Sequence, residues 1–263
     1  MAIQTNRSAK PRTPLSRERV VRAALVVADA GGIDSLSIRH IAEELGSKPM
    51  ALYNHIASKN DILDGIVDLV FGEIAVPSDH TDWKEAMRHR AHSARDALVR
   101  HPWASTLMQS RTNPGPATLR HQNAVIGSLR AAGFTIHQAA HAFSVMDSYI
   151  YGFTQQQQNL TYTSPEEATV VAQQILQHLP ADEYPHLADM IIEHALQPDY
   201  DYAAEFDFGL DLILDGLERV PRSQTTTRKS RQSMVETSTT ELSSSTSTKV
   251  QREKAVDAER HRH

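Results

Sequence analysis

Apolar residues recur along this chain at spacings of three and four, and no stretch alternates as a half-buried strand would, so the pattern predicts an all-α protein. After Leu15-Ser16, the residues Val20, Ala23, Ala24, Val27 and Ala28 line one face of a helix that Gly31-Gly32 ends. A second helix begins at Ser37, a capping residue, and places Ile38, Ile41, Ala42 and Leu45 on one face before Gly46 stops it. The next opens at Ser47-Lys48-Pro49 and is expected to run to about His55 or Ile56; proline is tolerated there because a first-turn N–H has no intrahelical partner. Leu52 and Ile56 face inward, and Lys48, Pro49, Met50, Ala51, Tyr53, Asn54 and His55 face outward. Ile62, Leu63, Ile66, Val67, Val70 and Ile74 mark a fourth helix that ends before Pro77.

The remainder reads as helices separated by proline and glycine. Residues 83–100 form one, His101-Pro102 breaks it, and 103–108 make a short apolar turn. After a loop at 112–116 come a helix over 118–132 and a long one over 135–156 that carries Ala139, Ala142, Phe143, Met146, Ile150 and Phe153. Ser164-Pro165-Glu166-Glu167 supplies a cap, a first-turn proline and favourable acids for the next helix, and 186–196 form another. The last, over 202–220, has apolar residues on more than one face, which implies that something outside the monomer covers part of it. The domain expectation is a flexible basic arm over 1–14, a small helical head over 15–60, a helical body over 61–220 and a disordered Ser/Thr/Arg-rich tail over 222–263.

Charge sharpens this division. The net charge of −5 hides a segregation: residues 1–60 hold 9 Lys/Arg against 5 Asp/Glu, residues 222–263 hold the same numbers, and the stretch between holds 9 against 22. A basic end on an acidic body suits a protein of which one face meets phosphates. Arg17, Arg19 and Arg22 on the first helix are candidate phosphate contacts or simply a solvated face. Cysteine is absent, which removes disulfides and thiolate metal sites. No run of about 18 apolar residues occurs, and the first residues lack the apolar segment of a signal peptide, so a soluble cytoplasmic protein with no membrane partner is expected.

The stretch from Ser37 to Lys59 is a helix, a glycine turn and a second helix. That arrangement occurs in ordinary bundles as well as in DNA-binding helix-turn-helix units, so spacing alone leaves both open. The residues go further. The string LSIRHIAEELGSKPMALYNHIASKNDILDGI, with Arg39, Ile41-Ala42, Leu45-Gly46, Leu52-Tyr53-x-His55 and Lys59, resembles the DNA-binding domain of the tetracycline repressor (TetR) family. That resemblance implies a homodimeric transcriptional repressor on a palindromic double-stranded DNA operator. The residues it marks for DNA are Arg39, Pro49, Met50, Ala51, Tyr53, His55 and Lys59, to which the outward face adds Lys48 and Asn54 and the helix start adds Ser37 as candidates. Arginine grips guanine, apolar groups read thymine methyls and lysine neutralises phosphate. Tyr53 and His55 have a second reading, half buried against the first helix. The tetracycline branch carries a longer amide side chain where Pro49 stands, so its operator is not transferred.

The phrase FDFGLDLILDGLE from Phe206 to Glu218 resembles the last helix of the same branch, which implies that Phe206, Leu210, Ile213, Leu214 and Leu217 join the long preceding helix in a four-helix dimer interface. A small-molecule effector is expected between body helices, with Trp103, Leu107, Met108, Phe143, Met146, Asp147, Tyr149, Ile150 and Phe153 as candidates; such residues also serve as plain core. Gln109 and Gln156 stand where the tetracycline branch uses a histidine and a glutamate around a drug-magnesium chelate, so an organic effector without metal or cofactor is expected. The competing class is an all-helical enzyme or metal-dependent protein using His89/His92 or His137/His141, pairs at ligand-compatible spacing. No nucleophile motif or phosphate loop accompanies them, and no enzyme is expected. A DNA-binding architectural protein without a ligand is the third reading.

Overall fold

The computed structural model describes residues 14–78 and 82–221, and among these there are helices and no strand. Helix α1 (Arg17–Gly31) starts where the Ser16 hydroxyl accepts from the Arg19 N–H, and α2 (Ile38–Glu44) starts in the same way at Ser37, which accepts from the His40 N–H. Gly46 then turns the chain at φ 59°, a conformation that penalises any side chain, and α3 (Pro49–Leu52) follows. This helix is a single turn of 4 residues, shorter than the run to His55 or Ile56 that the spacing predicts. The backbone must leave it early, because Ile56 returns to the core and Ser58 takes an extended conformation to cap α4 (Lys59–Glu73).

Beyond α4 the chain forms α5 (Trp83–Arg100), α6 (Ala104–Ser110), α7 (Pro116–Ala131), α8 (Ile136–Gln158), α9 (Pro165–His178), α10 (Pro185–Met190) and α11 (Glu205–Glu218). The helix expected over 186–196 is α-helical only to Met190; Ile191–Ala195 winds as a wider turn. Thr135 and Gln138 close a reciprocal capping box at the start of α8. The expected arm lies outside the described residues except for Pro14, and the expected tail lies outside them entirely.

Helix α4 packs against α1 on one side and α5, α6 and α7 on the other, so one buried apolar cluster runs from Val20, Ile41 and Leu52 through Ile66 and Val70 to Met87, Leu129 and Met146. A row of carboxylates along α4 makes the polar joints. Asp61 receives Arg17 of α1 at 2.5 Å, and Asp64 receives Arg111 at 2.6 Å and Asn113 at 3.2 Å. Asp68 caps α7 from outside it, accepting the Thr118 N–H at 2.8 Å, the Thr118 hydroxyl at 2.9 Å and the Ala117 N–H at 3.2 Å. The approach is close enough that a Cβ on Gly115 would lie 2.6 Å from Asp68 Oδ2. At the far end of α4, Glu73 meets Arg100 at 2.7 Å and the buried His101 ring at 3.2 Å; the other ring nitrogen of His101 meets Asp29 of α1 at 2.7 Å.

Helix α11 lies against α5 and α8. Its acidic edge faces the basic edge of α5: Lys84 reaches Asp215 at 2.6 Å and Glu218 at 2.8 Å, Arg88 pairs with Asp211, and His92 meets Asp207 at 3.0 Å. Of the expected dimer residues, Phe206, Leu210 and Leu214 are 0% exposed within the single chain, whereas Ile213 and Leu217 are half buried against its core and keep part of their surface outside it. The apolar residues left outside are Phe208 and Leu212, at 66% and 61% exposure.

Two stability outcomes follow from the row on α4. Gly115→Ala should push the Asp68 carboxyl off the start of α7 and lower the urea-unfolding free energy by roughly 1–3 kcal/mol, and Asp68→Ala should cost a similar amount; an unchanged urea midpoint in both would contradict the capping assignment. The second concerns acid. The Arg17 hydrogen bond is the main cause holding the Asp61 carboxyl below its ordinary value of 3.8, opposed by burial and aided by the Ala57 N–H. Its contribution is therefore complete above that value and lost as pH falls through the lowered one. For a pair this exposed about 0.2–1 kcal/mol is at stake, so Asp61→Asn should be slightly less stable at neutral pH and converge on wild type in chemical unfolding at strongly acidic pH.

Candidate DNA interface and ligand site

The head presents its outward face as the spacing predicts. Leu52 and Ile56 are buried, whereas Lys48, Pro49, Met50, Tyr53 and Asn54 are exposed, Met50 to 75%. An apolar and an aromatic side chain held in water on a one-turn helix make a surface suited to base edges and methyl groups. Tyr53 is 52% exposed, and His55 is half buried. Ala51 is half buried beside a groove lined by Leu15, Arg19, Leu45 and Lys48. Lys59 is exposed at the first turn of α4.

On α2, the Ser37 hydroxyl is committed to its capping bond. Arg39 projects with its side chain 81% exposed and pairs with Glu43, 2.9 Å away one turn later on the same helix, a pair weak enough in water for phosphate or guanine to displace. The first helix offers less than its charges promise: Arg17 is joined to Asp61, Arg22 to Glu18 at 2.7 Å, and the Arg19 guanidinium donates to the Pro14 carbonyl at 2.8 Å.

In the body the structure divides the expected ligand residues among several places. Trp103 is spent at the joint between head and body, where its Nε1–H donates to Asp29 at 2.8 Å. Met146 and Ile150 are sealed in the core, and Leu107 and Met108 pack against it half buried. Tyr149 and Phe153 belong to an aromatic stack with Phe206 and Tyr202 that fastens α8 to α11; the Tyr149 hydroxyl donates to the Phe206 carbonyl at 3.0 Å, and burial pushes its pKa up to about 12. Along α8 the division has one reason: the helix is packed on several sides, so its apolar residues meet different neighbours.

Phe143 and Asp147 do come together, with residues that sequence reasoning missed. Arg90 of α5, 2% exposed, donates from Nη2 to Asp147 and from Nε to His121 Nε2 of α7 at 3.2 Å, and its guanidinium lies 5.4 Å from the centre of the Phe143 ring. The Tyr151 hydroxyl reaches Asp147 at 3.4 Å. Burial, and then the neighbouring Arg90 charge, push His121 down to about 3, so its ring is neutral near pH 7. A signal was available. Arg90 falls in the buried stripe Ala86, Met87, Ala91, Ala94 and Leu98, and His121 in the stripe Thr118, Val125 and Leu129, where polar residues of that size need a reason.

A separate cavity of about 190 Å³ lies past the C-terminal end of α8, lined by Gln157, Tyr162, Ser164, Ala168, Tyr200 and Tyr202, none of them an expected ligand residue. Gln109 bonds to the Ser105 carbonyl at 3.1 Å and Gln156 accepts from Tyr202 at 3.1 Å. The histidine pairs do not converge: His89, His137 and His141 are exposed, His92 is tied to Asp207, and among the described residues no group of three His, Cys, Asp or Glu is placed to hold a metal ion. No helix of the described residues is long and apolar enough to cross a membrane.

Comparison with known proteins joins these two halves. Residues 20–66 match the bacterial regulatory proteins of the tetR family, and residues 76–220 match the tetracyclin repressor-like C-terminal domain. The HTH-type transcriptional repressor DrrR1 of Streptomyces coeruleorubidus is 33% identical over 217 residues, 79% of either chain. The class A tetracycline repressor from transposon 1721 of Escherichia coli is 29% identical, covering 79% of this chain and 92% of its own. Among solved structures, Streptomyces coelicolor ActR in complex with actinorhodin superposes with a TM-score of 0.66 at 28% identity, covering 78% of this chain and 96% of that one. A TetR from Acinetobacter baumannii in complex with minocycline gives 0.59 at 26% identity, with 81% and 98% covered. With a one-turn reading helix on a buried scaffold at one end and a helical body at the other, the chain belongs to the TetR family, and it is a transcriptional repressor with a DNA-binding helix-turn-helix and a ligand-binding C-terminal domain rather than an enzyme.

Proposed function

We propose that the protein works in the cytoplasm as a homodimer, holding a palindromic operator with one α3 in the major groove of each half-site and releasing it when a small organic effector enters the body. The observation that carries this reading is the exposed surface of Pro49 and Met50 on α3 and of Tyr53 and Asn54 in the turn that follows it, over a wholly buried Leu52. Residues 15–60 act as the reading head and 61–220 as the effector and dimerisation body. Met50, Tyr53 and Asn54 reach base edges, with Pro49 at the front of the helix. Arg39 contacts a base or phosphate, Lys48 and Lys59 neutralise phosphates, and Ala51, His55 and the Ser37 cap support the surface from behind. Dimerisation uses the outer face of α11, Phe208 and Leu212, with Val145 of α8 also exposed at 44%.

The effector is organic, in keeping with the actinorhodin and minocycline complexes of the structural relatives, and needs no metal, in keeping with Gln109 and Gln156 where the tetracycline branch has its chelate-holding histidine and glutamate. Release follows from the joints on α4: α7 carries His121 one turn beyond Thr118, and Thr118 is held by Asp68 of α4. An effector that prefers a shifted α7 thereby prefers a shifted α4 and a changed spacing of the two heads. DNA affinity falls by the effector's differential binding energy.

Selection of bound fragments from genomic DNA should recover a two-fold symmetric sequence, and recovery of fragments without sequence preference would refute the operator reading. On the selected site, Lys59→Ala should weaken binding and reduce the slope of log affinity against log salt by about 1; an unaltered slope removes Lys59 from the phosphate contacts. Phe208→Asp combined with Leu212→Asp should give a folded monomer in sedimentation and lose at least about tenfold in affinity for the palindrome through the lost second half-site. A dimer that survives this pair would place the interface elsewhere.

A further inference from the structure

Among the described residues, three buried side-chain atoms have no hydrogen-bond partner in the chain, and two of them, Arg90 Nη1 and His121 Nδ1, belong to one cluster. Both are donors. Arg90 Nη1 is a guanidinium nitrogen and donates only, and His121 uses Nε2 to accept from Arg90 Nε, so the proton of the neutral ring resides on Nδ1. A buried donor without an acceptor is costly, and two within one cluster call for a group that brings an acceptor with it.

The charge of the cluster narrows the class of that group. The Arg90 guanidinium is matched by the Asp147 carboxylate, and the imidazole is neutral, so the ensemble has no unbalanced positive charge. A carboxylate or phosphate arriving there would bury a net negative charge, whereas a carbonyl oxygen satisfies the donors at no such cost. The surroundings are aromatic: Phe143 lies beside the guanidinium, the Phe71 ring centre is 5.5 Å from that of His121, and Tyr151 closes the Asp147 side. We infer that Arg90 and His121 form a paired-donor subsite that selects the effector through an uncharged carbonyl oxygen on an aromatic molecule, an assignment that rests on reading the body as the effector domain. Asp147 is the positioning residue, holding Arg90 so that Nη1 stays available.

The test uses the full-length protein and three probes of one shape: 1-indanone, indane and indane-1-carboxylate, titrated by calorimetry at pH 7. Indanone should bind about tenfold or more tighter than indane, the scale of one buried donor satisfied, and the carboxylate should bind no tighter than indane. The indanone preference should shrink to about threefold or less in His121→Phe. Because Arg90→Met strands the Asp147 carboxylate, the double variant Arg90→Met with Asp147→Leu is the second arm and should lose the preference in the same way. Equal binding of indane and indanone, tighter binding of the carboxylate, a preference that persists in both variants, or no binding of any probe would overturn the inference. Operator binding measured on the same preparations separates the two levels. If wild-type protein fails to bind a symmetric operator, the repressor reading is what fails; if it binds DNA but shows no carbonyl preference, only the subsite is lost.

Discussion

The carboxylates of α4 are the constraint on which the rest of the described chain depends. Asp61, Asp64 and Asp68 recur at spacings of three and four on one side of a helix whose Ile62, Ile66 and Val70 are sealed in the core, and each is spent on a different neighbour. Asp61 takes α1, Asp64 the loop after α6, and Asp68 the first N–H groups of α7. The last of these is the most demanding, since helix-start N–H groups that lack an acceptor must find water or a side chain. The glycine at 115 lets the two backbones approach closely enough for that carboxylate to reach. Head and body therefore share one helix, and α7 is joined to it by three hydrogen bonds to a single carboxylate.

A second polar joint, at the other end of α4, works on different terms. His101 is buried between Asp29 of α1 and Glu73 of α4, and Trp103 donates to the same Asp29. The end of α5 is thereby fixed to both helices that carry the reading surface. Trp103, a candidate ligand residue by sequence, has its indole N–H committed to this joint. Helix α4 is thus tied to the body by polar joints at two places, through Asp68 to α7 and through Glu73 to the end of α5.

Periodicity alone cannot say which neighbour a helix face will meet, and α8 and α11 show where that matters. Along α11 nearly every non-acidic position is apolar, so a partner-facing side is evident but not which residues form it. The ladder of Lys84, Arg88 and His92 aligns the acidic edge with α5, and this rotation turns Phe206, Leu210 and Leu214 inward and leaves Phe208 and Leu212 outside. On α8 the same ambiguity merged three environments into one candidate pocket. Phe143 and Asp147 face Arg90, Met146 and Ile150 face the core, and Tyr149 and Phe153 face α11.

By itself the sequence determined what depends on local chemistry. Capping serines at 16, 37, 58 and 164, the glycine turn at 46, first-turn prolines and apolar spacing specify the helices, and the run from Arg39 through Tyr53 to Lys59 carries the reading head, because hydrogen bonds at helix ends and side-chain spacing are set within a few residues. Tertiary structure decided what depends on residues far apart in the chain: that Arg17 is held by Asp61, that Asp68 caps α7, and that Arg90, His121 and Asp147, from three helices, meet in one buried cluster with two donors unmatched. A buried charge is tolerated only where its partners converge, and convergence is a property of the packed helices rather than of any one segment.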